Sequence, residues 1–162
     1  MPSTEIRAAT GADVYAMSDL MERQVRRYLL RDCTPAGQKA LLASVAPERL
    51  GANLRENYAY HVAANGADVY GVIGLRNHNH VHHLFVADAV RGSGLGRRLW
   101  ETARDEVCIH ATAPPLFTVN SAPGAVGFYK ALGFQPSGDE EERDGVRSQP
   151  MRYVLLGMGA KL

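Results

Sequence analysis

The sequence predicts a single α/β (α+β) domain in which helices flank a central sheet, and three observations support this fold class. The chain has 162 residues, of which 46% are hydrophobic and 22% are charged, a balance typical of one globular core. Helical periodicity and strand-like runs follow one another without an internal repeat or a domain linker. Asn65-Gly66 joins two strand-like runs, which is typical of a β-hairpin.

The first third of the chain is predicted to be helical. Residues Thr10 to Asp13 fit a capping box, and apolar residues then recur every three or four positions to about Leu30. A connecting region follows over residues 31 to 46, with room for helix over residues 38 to 44. Pro47 opens a short helix to about Leu54, because proline is tolerated in a first helical turn.

A three-stranded antiparallel meander is predicted next. Tyr58 to Ala63 and Val69 to Leu75 are rich in β-branched and aromatic residues, and Asn65-Gly66 between them favours a tight type I′ turn. A second turn over residues 77 to 79 leads to a third strand, His80 to Val86.

Helices and strands alternate in the last part of the chain. A helix over residues 94 to 110 is followed by a short strand, Leu116 to Val119. A second helix, residues 122 to 132, can be capped by Ser121 and ended by Gly133. Two final strands, residues 134 to 137 and 151 to 156, are joined by the acidic loop 139 to 147.

Composition excludes several classes of function. Eighteen Lys and Arg against seventeen Asp and Glu leave a net charge of +1, too little for a broad polyanion footprint, so no nucleic-acid partner is expected. The longest stretch without acidic or basic residues, 107 to 129, contains three prolines, and the first ten residues have no apolar run, so neither a membrane span nor a signal is expected. Cys33 and Cys108 cannot form a disulfide framework and fit a reducing cytoplasm.

The most informative segment joins a strand end, a glycine-rich loop and a helix start, in the order Arg91-Gly92-Ser93-Gly94-Leu95-Gly96. Glycines let several backbone N–H groups point inward, and a helix N-terminus adds partial positive charge, so this arrangement favours a bound pyrophosphate. Arg97-Arg98 after Gly96 excludes a Walker A loop, and the glycine spacing excludes a dinucleotide fingerprint. An ordinary tight turn is the alternative interpretation.

The loop matches the pattern Arg/Gln-x-x-Gly-x-Gly/Ala, and two further segments agree with it. Leu84 and Val86 lie in the strand before the loop, and a later segment carries Asn120, Phe128-Tyr129 and Gly133-Phe134. On these residues the sequence resembles the GNAT superfamily of N-acetyltransferases over roughly the whole chain. The resemblance implies a GNAT-like fold, a mixed but mostly antiparallel sheet flanked by helices. Asp88 stands where the family frequently has proline.

The resemblance implies acetyl-coenzyme A as cosubstrate, with the pyrophosphate on the loop amides and the pantetheine arm along the preceding strand. A β-bulge, usual in the family, would free donors in that strand and direct the Leu84 amide at the thioester carbonyl. Asn120 would hold a pantetheine amide or help to cap the helix. The residues expected to bind coenzyme A are Leu84, Phe85, Val86, Arg91, Gly92, Ser93, Gly94, Leu95, Gly96, Arg97 and Asn120. No metal is expected.

Three side chains are candidates for catalysis. His80 and His82 are two apart on a strand, so they should share a face and could accept a proton from an amine, directly or through water. The alternatives are a polar turn and edge strand, or a zinc site that includes His78. The resemblance makes Tyr129 the candidate general acid toward the coenzyme A sulfur, and a core tyrosine is the alternative.

These observations predict a transferase that moves an acetyl group from acetyl-coenzyme A to a primary amine of an unidentified small molecule or peptide, by direct attack in a ternary complex. Two other functions stay open. One is a catalytically silent acyl-coenzyme A sensor or partner module, and the other is transfer with a different acyl donor or an oxygen acceptor. Similar proteins are commonly dimers, which leaves a homodimer open.

Overall fold

An eight-stranded sheet with helices on both faces forms the structure, a computed structural model that describes residues 3–155. The strands are β1 (Glu5–Ala8), β2 (Tyr58–Asn65), β3 (Asp68–Arg76), β4 (His80–Val86), β5 (Leu116–Ser121), β6 (Gln135–Pro136), β7 (Glu141–Arg143) and β8 (Val146–Val154). The helices are α1 (Val14–Gln24), α2 (Pro35–Ser44), α3 (Pro47–Leu54), α4 (Leu95–His110) and α5 (Val126–Leu132).

The strand order is β1-β2-β3-β4-β5-β8-β6, with β7 paired to β8. Every pairing is antiparallel except that of β4 with β5, which is parallel. The predicted fold class, a mixed and mostly antiparallel sheet flanked by helices, is therefore confirmed. None of the helices in residues 3–155 is long and apolar enough to cross a membrane.

Each face of the sheet carries its own hydrophobic core. One cluster, which includes Leu95, Leu99 and Trp100, packs α4 and α5 against the sheet. The other includes Met17, Met21 and Leu50 and packs α1 and α3 against the opposite face. Because every side chain in these clusters is nearly inaccessible to water, their burial provides the main stabilisation of both layers.

The first helix is less regular than the sequence predicts. The α-helix ends at Gln24, and the chain continues as a π-helical turn, Val25–Leu29, and a 3₁₀ turn, Leu30–Asp32. The α2 helix begins at Pro35, because Thr34 accepts the Gly37 N–H and caps it. The short edge strand β1 was not predicted, since it contains one large apolar residue, Ile6.

Turn geometry corrects the predicted hairpin between β2 and β3. Asn65 pairs with Asp68, so the two loop residues are Gly66 and Ala67, and Gly66 alone has a positive φ, +60°. The turn is therefore of the type II′ pattern, with glycine at its first central position, and the predicted type I′ turn is wrong. Two successive positive φ values occur instead at Asn77 and His78, in the turn between β3 and β4.

The end of the described chain also differs from the prediction. The predicted acidic loop contains β7 and a tight turn at Asp144-Gly145, whose φ values are +51° and +81°. β8 begins at Val146 rather than at Met151, pairs with β7 over its first three residues and pairs with β5 over residues 149–154. The predicted last strand residue, Leu156, lies outside the described residues.

Candidate functional site

Strands β4 and β5 pair over only two residues and then separate. His80 lies opposite Thr118 and Val81 opposite Val119, and no further pairs form between the two strands. The Ala87 N–H donates to the Tyr70 carbonyl of β3 at 2.8 Å. Because N–H groups alternate in direction along a strand, those of Leu84 and Val86 point away from β3 and into the gap.

A β-bulge lies at the narrow end of this gap. Gly74 of β3 pairs with His83 and Leu75 pairs with Val81, so His82 is an extra residue in β4. The predicted bulge is therefore present. Because the bulge interrupts alternation, the rings of His82 and His83 lie together, with centroids 4.2 Å apart.

The gap opens into a cavity of about 920 Å³ that extends from the glycine loop to the connection between the first two helices. It is large enough for an extended cofactor and a second ligand. One end is lined by Leu84, Phe85, Val86, Arg91, Gly92, Gly94, Leu95, Gly96, Arg97, Asn120 and Tyr129. The other end carries charges from the α1–α2 connection and the β7–β8 hairpin: Arg31, Asp32, Glu141, Arg143, Asp144 and Arg147.

The glycine loop forms an anion cradle at the start of α4. Gly92 and Gly94 have φ values of +76° and +84°, a conformation that side chains disfavour. Arg98 is the first residue whose N–H reaches back to the Gly94 carbonyl, at 3.1 Å, so the N–H groups before it in the first turn lack intrahelical acceptors. Gly96 allows close approach to α5, since a Cβ there would lie 3.0 Å from the Phe128 ring.

Ser93 is the exception among the predicted loop residues. Its N–H and its hydroxyl both donate to the Val90 carbonyl, and it does not line the cavity. Its donors are therefore used to shape the loop. The remaining predicted residues of the loop surround the cavity, but whether they hold a ligand stays a prediction.

Asp88 anchors this loop to the first helix, a role that the sequence did not reveal. Its carboxylate accepts hydrogen bonds from Arg27 at 2.7 Å, Tyr28 at 2.9 Å and Arg91 at 3.0 Å. The Arg91 guanidinium also donates to Gln24 at 2.7 Å and lies 4.2 Å from the centre of the Tyr28 ring. Gln24 of α1 also donates to the Asp88 carboxylate, at 3.4 Å. Four residues, two of them in the π-helical turn after α1, thus meet at one carboxylate beside the cradle.

The histidines are arranged differently from the prediction. His82 and His83 line the cavity, whereas His80 does not, and its Nδ1 lies 2.8 Å from Thr118 Oγ1. The expectation that His80 and His82 both look into one cleft is therefore wrong for His80, and the bulge brings His83 to the cavity beside His82. His78 lies in the turn, and within residues 3–155 no three metal-ligating side chains are close enough to hold a metal.

Burial keeps these imidazoles neutral. Burial and the nearby charge of Arg76 lower the pKa of His80 and of His82 to about 4. Burial also lowers the pKa of His83 well below its usual value. Tyr129 is 7% exposed, packs against Phe134 and lines the cavity, and burial raises the pKa of its phenol.

The lowered histidine pKa values predict a loss of stability in mild acid. The unfolded chain takes up protons on His80 and His82 near pH 6.5 and the folded chain only near pH 4, so the unfolded state binds more protons between these values. The free energy of unfolding should therefore be highest above about pH 6.5 and fall by about 1–2 kcal/mol for each of these two histidines between pH 7 and pH 5. Urea denaturation at both pH values measures it.

His82→Gln should remove part of this pH dependence, because glutamine does not titrate. His110→Gln, a change at an exposed position at the end of α4, is the matched control and should retain the dependence. Equal slopes in His82→Gln and the unchanged protein would contradict the prediction.

Comparisons with known proteins agree with this geometry. Residues 29–155 match the family described as acetyltransferase (GNAT) domain. The fold is similar to that of a GCN5-related N-acetyltransferase from Rhodopseudomonas palustris, at 17% identity and a TM-score of 0.78, covering 96% of this chain and 98% of that one. A comparison with curated proteins found no match.

Two other solved structures share the fold and carry informative names. PaiA N-acetyltransferase from Thermoplasma acidophilum, solved in complex with coenzyme A, has 12% identity and a TM-score of 0.77, covering 95% of this chain and 100% of that one. The ribosomal-protein-S18-alanine N-acetyltransferase from Escherichia coli has 16% identity and a TM-score of 0.64, covering 98% of this chain and 99% of that one. At these identities the similarity concerns the fold.

Proposed function

Because this chain belongs to the GNAT acetyltransferase family, we propose that it transfers an acetyl group from acetyl-coenzyme A to a primary amine of a small molecule or peptide. One observation carries the proposal: the glycine cradle and the gap between β4 and β5 open into a single cavity. The Thermoplasma protein with the same fold binds coenzyme A, and the Escherichia coli protein is named for an alanine acceptor.

The proposed coenzyme A site fits the residues present. The unpaired amides of Leu95, Gly96 and Arg97 suit a pyrophosphate, and the amides of Leu84 and Val86 suit the pantetheine arm. The Leu84 amide would donate to the thioester oxygen as negative charge develops on it, an interaction worth about 3 kcal/mol in comparable sites.

The proposed proton acceptor is His82. A primary amine is protonated at neutral pH and must lose a proton before its lone pair can attack. His82 lines the cavity, and its lowered pKa leaves the imidazole with an available lone pair across the physiological range. His80 is not retained as a base, since it lies outside the cavity lining.

The proposed general acid is Tyr129. Its buried phenol keeps its proton at every working pH, because burial raises its pKa. Proton transfer to the departing sulfur must then be concerted with cleavage of the carbon–sulfur bond, since a free thiolate is the weaker base. The amine displaces the thiol directly, with no covalent intermediate on the enzyme.

His82→Gln is expected to lower kcat by about a hundredfold, the lower end of the range for loss of a general base. Because the pKa of His82 is about 4, the acidic limb that an ordinary imidazole would give at pH 6–7 should be absent from the kcat profile of the unchanged protein. Stopped assays of thiol release between pH 5 and pH 8 measure kcat and its pH profile for the variant and for the unchanged protein. A limb near pH 6.5 that disappears in the variant would contradict the lowered pKa.

The acetyltransferase assignment is tested by two separate measurements. Calorimetry with acetyl-coenzyme A should detect binding, and a thiol-release assay with amines, polyamines and peptides should detect turnover. Binding without turnover for any acceptor would indicate a silent acyl-coenzyme A module, and faster turnover with succinyl- or longer acyl-coenzyme A would indicate another donor. The proposal also includes a cytoplasmic location. It leaves a homodimer open, and light scattering would measure the oligomeric state.

A further inference from the structure

A buried chain of three hydrogen-bonded polar side chains reaches the part of the cavity that His82 and His83 line. Asn53 of α3, Tyr60 of β2 and His83 of β4 are 1%, 2% and 5% exposed. Asn53 Nδ2 donates to the Tyr60 hydroxyl at 3.1 Å, and that hydroxyl lies 2.9 Å from His83 Nδ1. His83 in turn lines the cavity.

Counting protons fixes the direction of these hydrogen bonds. The Tyr60 oxygen already accepts a hydrogen bond from Asn53, so its own single O–H is directed to the remaining partner, His83 Nδ1. A neutral imidazole carries one proton, and if Nδ1 accepts, that proton lies on Nε2. Burial keeps both groups in these states, since it raises the pKa of Tyr60 to about 12 and lowers that of His83.

The opposite orientation of the Asn53 amide is less favourable. It would let Asn53 Oδ1, which is buried without a partner, accept a hydrogen bond from the Tyr60 hydroxyl. Both protons of the buried Asn53 amide group would then have no acceptor among the described residues. Buried N–H groups are left unpaired more rarely than buried carbonyl oxygens, so the orientation in which Asn53 donates is preferred.

We propose that Asn53 and Tyr60 are positioning residues that hold His83 as the Nε2–H tautomer, so that His83 donates a hydrogen bond to an oxygen of a bound substrate and does not accept a proton. The proposal rests on the proposed function for the identity of the ligand, and on the geometry of the three side chains for the tautomer. It assigns different roles to the two neighbouring imidazoles: His82 accepts a proton, and His83 binds a carbonyl, carboxylate or hydroxyl oxygen.

The groups around His83 support a neutral donor. Tyr60 from β2 and Phe85 and His82 from β4 pack against its ring, with ring centroids 4.2 to 6.0 Å away. Among charged side chains, Arg76 acts on the neighbouring His82, whose pKa it helps to lower. No carboxylate among the described residues is hydrogen-bonded to His83, so nothing there stabilises an imidazolium.

Nitrogen-15 NMR of histidine-labelled protein tests the tautomer without substrate or turnover. The expected spectrum has an acceptor-type shift for His83 Nδ1 and a protonated-type shift for Nε2. Tyr60→Phe should redistribute the tautomers, because it removes the donor to Nδ1. Tyr58→Phe, on the same strand and with its ring centre 6.2 Å from that of Tyr60, is the matched control and should not. A protonated Nδ1 in the unchanged protein would overturn the proposal.

Two substitutions at His83 test the donor role. Glutamine places an N–H donor near the position of Nε2 but cannot serve as a base, so His83→Gln should keep kcat/KM for the acceptor within about threefold. His83→Leu should lose at least about tenfold. Equal losses in both variants, each shown by circular dichroism to be folded, would overturn the donor role.

This result is separable from failure of the proposed function. If calorimetry detects no binding of acetyl-coenzyme A, the acetyltransferase assignment fails. The NMR measurement then still decides the tautomer, because it depends only on the three side chains.

Discussion

Replacing Gly94 by alanine is expected to weaken coenzyme A binding by about a hundredfold, as measured by calorimetry. Gly94 lines the cavity at the N-terminus of α4, and nothing in the protein lies within 4 Å of a Cβ built there, so a methyl group would occupy space open to the ligand. Losing two charge-assisted hydrogen bonds to a displaced pyrophosphate would cost about 3 kcal/mol, which corresponds to about a hundredfold in Kd.

Backbone strain must be separated from this steric effect. Gly94 has a φ of +84°, so alanine also destabilises the fold, by about 1–2 kcal/mol. Gly66→Ala is a matched control, because Gly66 has a φ of +60°, no atom within 4 Å of a built Cβ, and a place in the β2–β3 turn outside the cavity. Both variants should lose similar stability, but only Gly94→Ala should lose affinity. Equal affinity in the two would contradict a pyrophosphate site at this loop.

The parts of the site that the sequence predicted are those set by local chain geometry. The glycine-rich loop, the helix that follows it and the end of α5 at Gly133 all follow from neighbouring residues, and all are present. The structure adds that Gly92 and Gly94 have positive φ. The Asp144-Gly145 turn carried the same kind of signal and would have revealed β7 and the start of β8.

The histidine arrangement could not be read from spacing alone. Strand alternation places residues two apart on one face, but the extra residue at His82 brings the next residue, His83, to the cavity beside it. Whether a residue of β4 is left unpaired depends on the register of β4 with β3. That register is set by contacts between separate strands and not by the local sequence. The chain from Asn53 to Tyr60 to His83 joins three separate elements and has no local signal at all.

Asp88 shows the same limit in another way. The sequence marks it only as a departure from a frequent proline, whereas the structure places Arg27, Tyr28 and Arg91 around its carboxylate. The π-helical turn, Val25–Leu29, carries two of these partners. Neither the turn nor its contact with Asp88 follows from the helical periodicity of the first thirty residues.

Replacing Tyr129 by phenylalanine is expected to lower kcat by about a hundredfold or more, the range observed when a general acid is removed. The ring stays in place, because its edge-to-face contacts with Phe128 and Phe134 do not involve the hydroxyl. The affinity for coenzyme A should therefore change by no more than about threefold, since only an interaction of the transition state is lost. Steady-state thiol release and calorimetry measure the two quantities on the same preparation.

Tyr153→Phe distinguishes catalysis from packing. Tyr153 belongs to the same aromatic cluster, packing against Trp100 and Phe134, and its hydroxyl contacts Arg104 at 3.4 Å, but it does not line the cavity. Loss of that hydroxyl should leave kcat within about threefold of the unchanged protein. If Tyr129→Phe lowers coenzyme A affinity as much as kcat, or if Tyr153→Phe is equally slow, then Tyr129 contributes packing rather than a proton. A fall in kcat that occurs only in Tyr129→Phe would show that catalysis requires the Tyr129 hydroxyl itself, because the two variants remove the same atom from neighbouring places in one cluster.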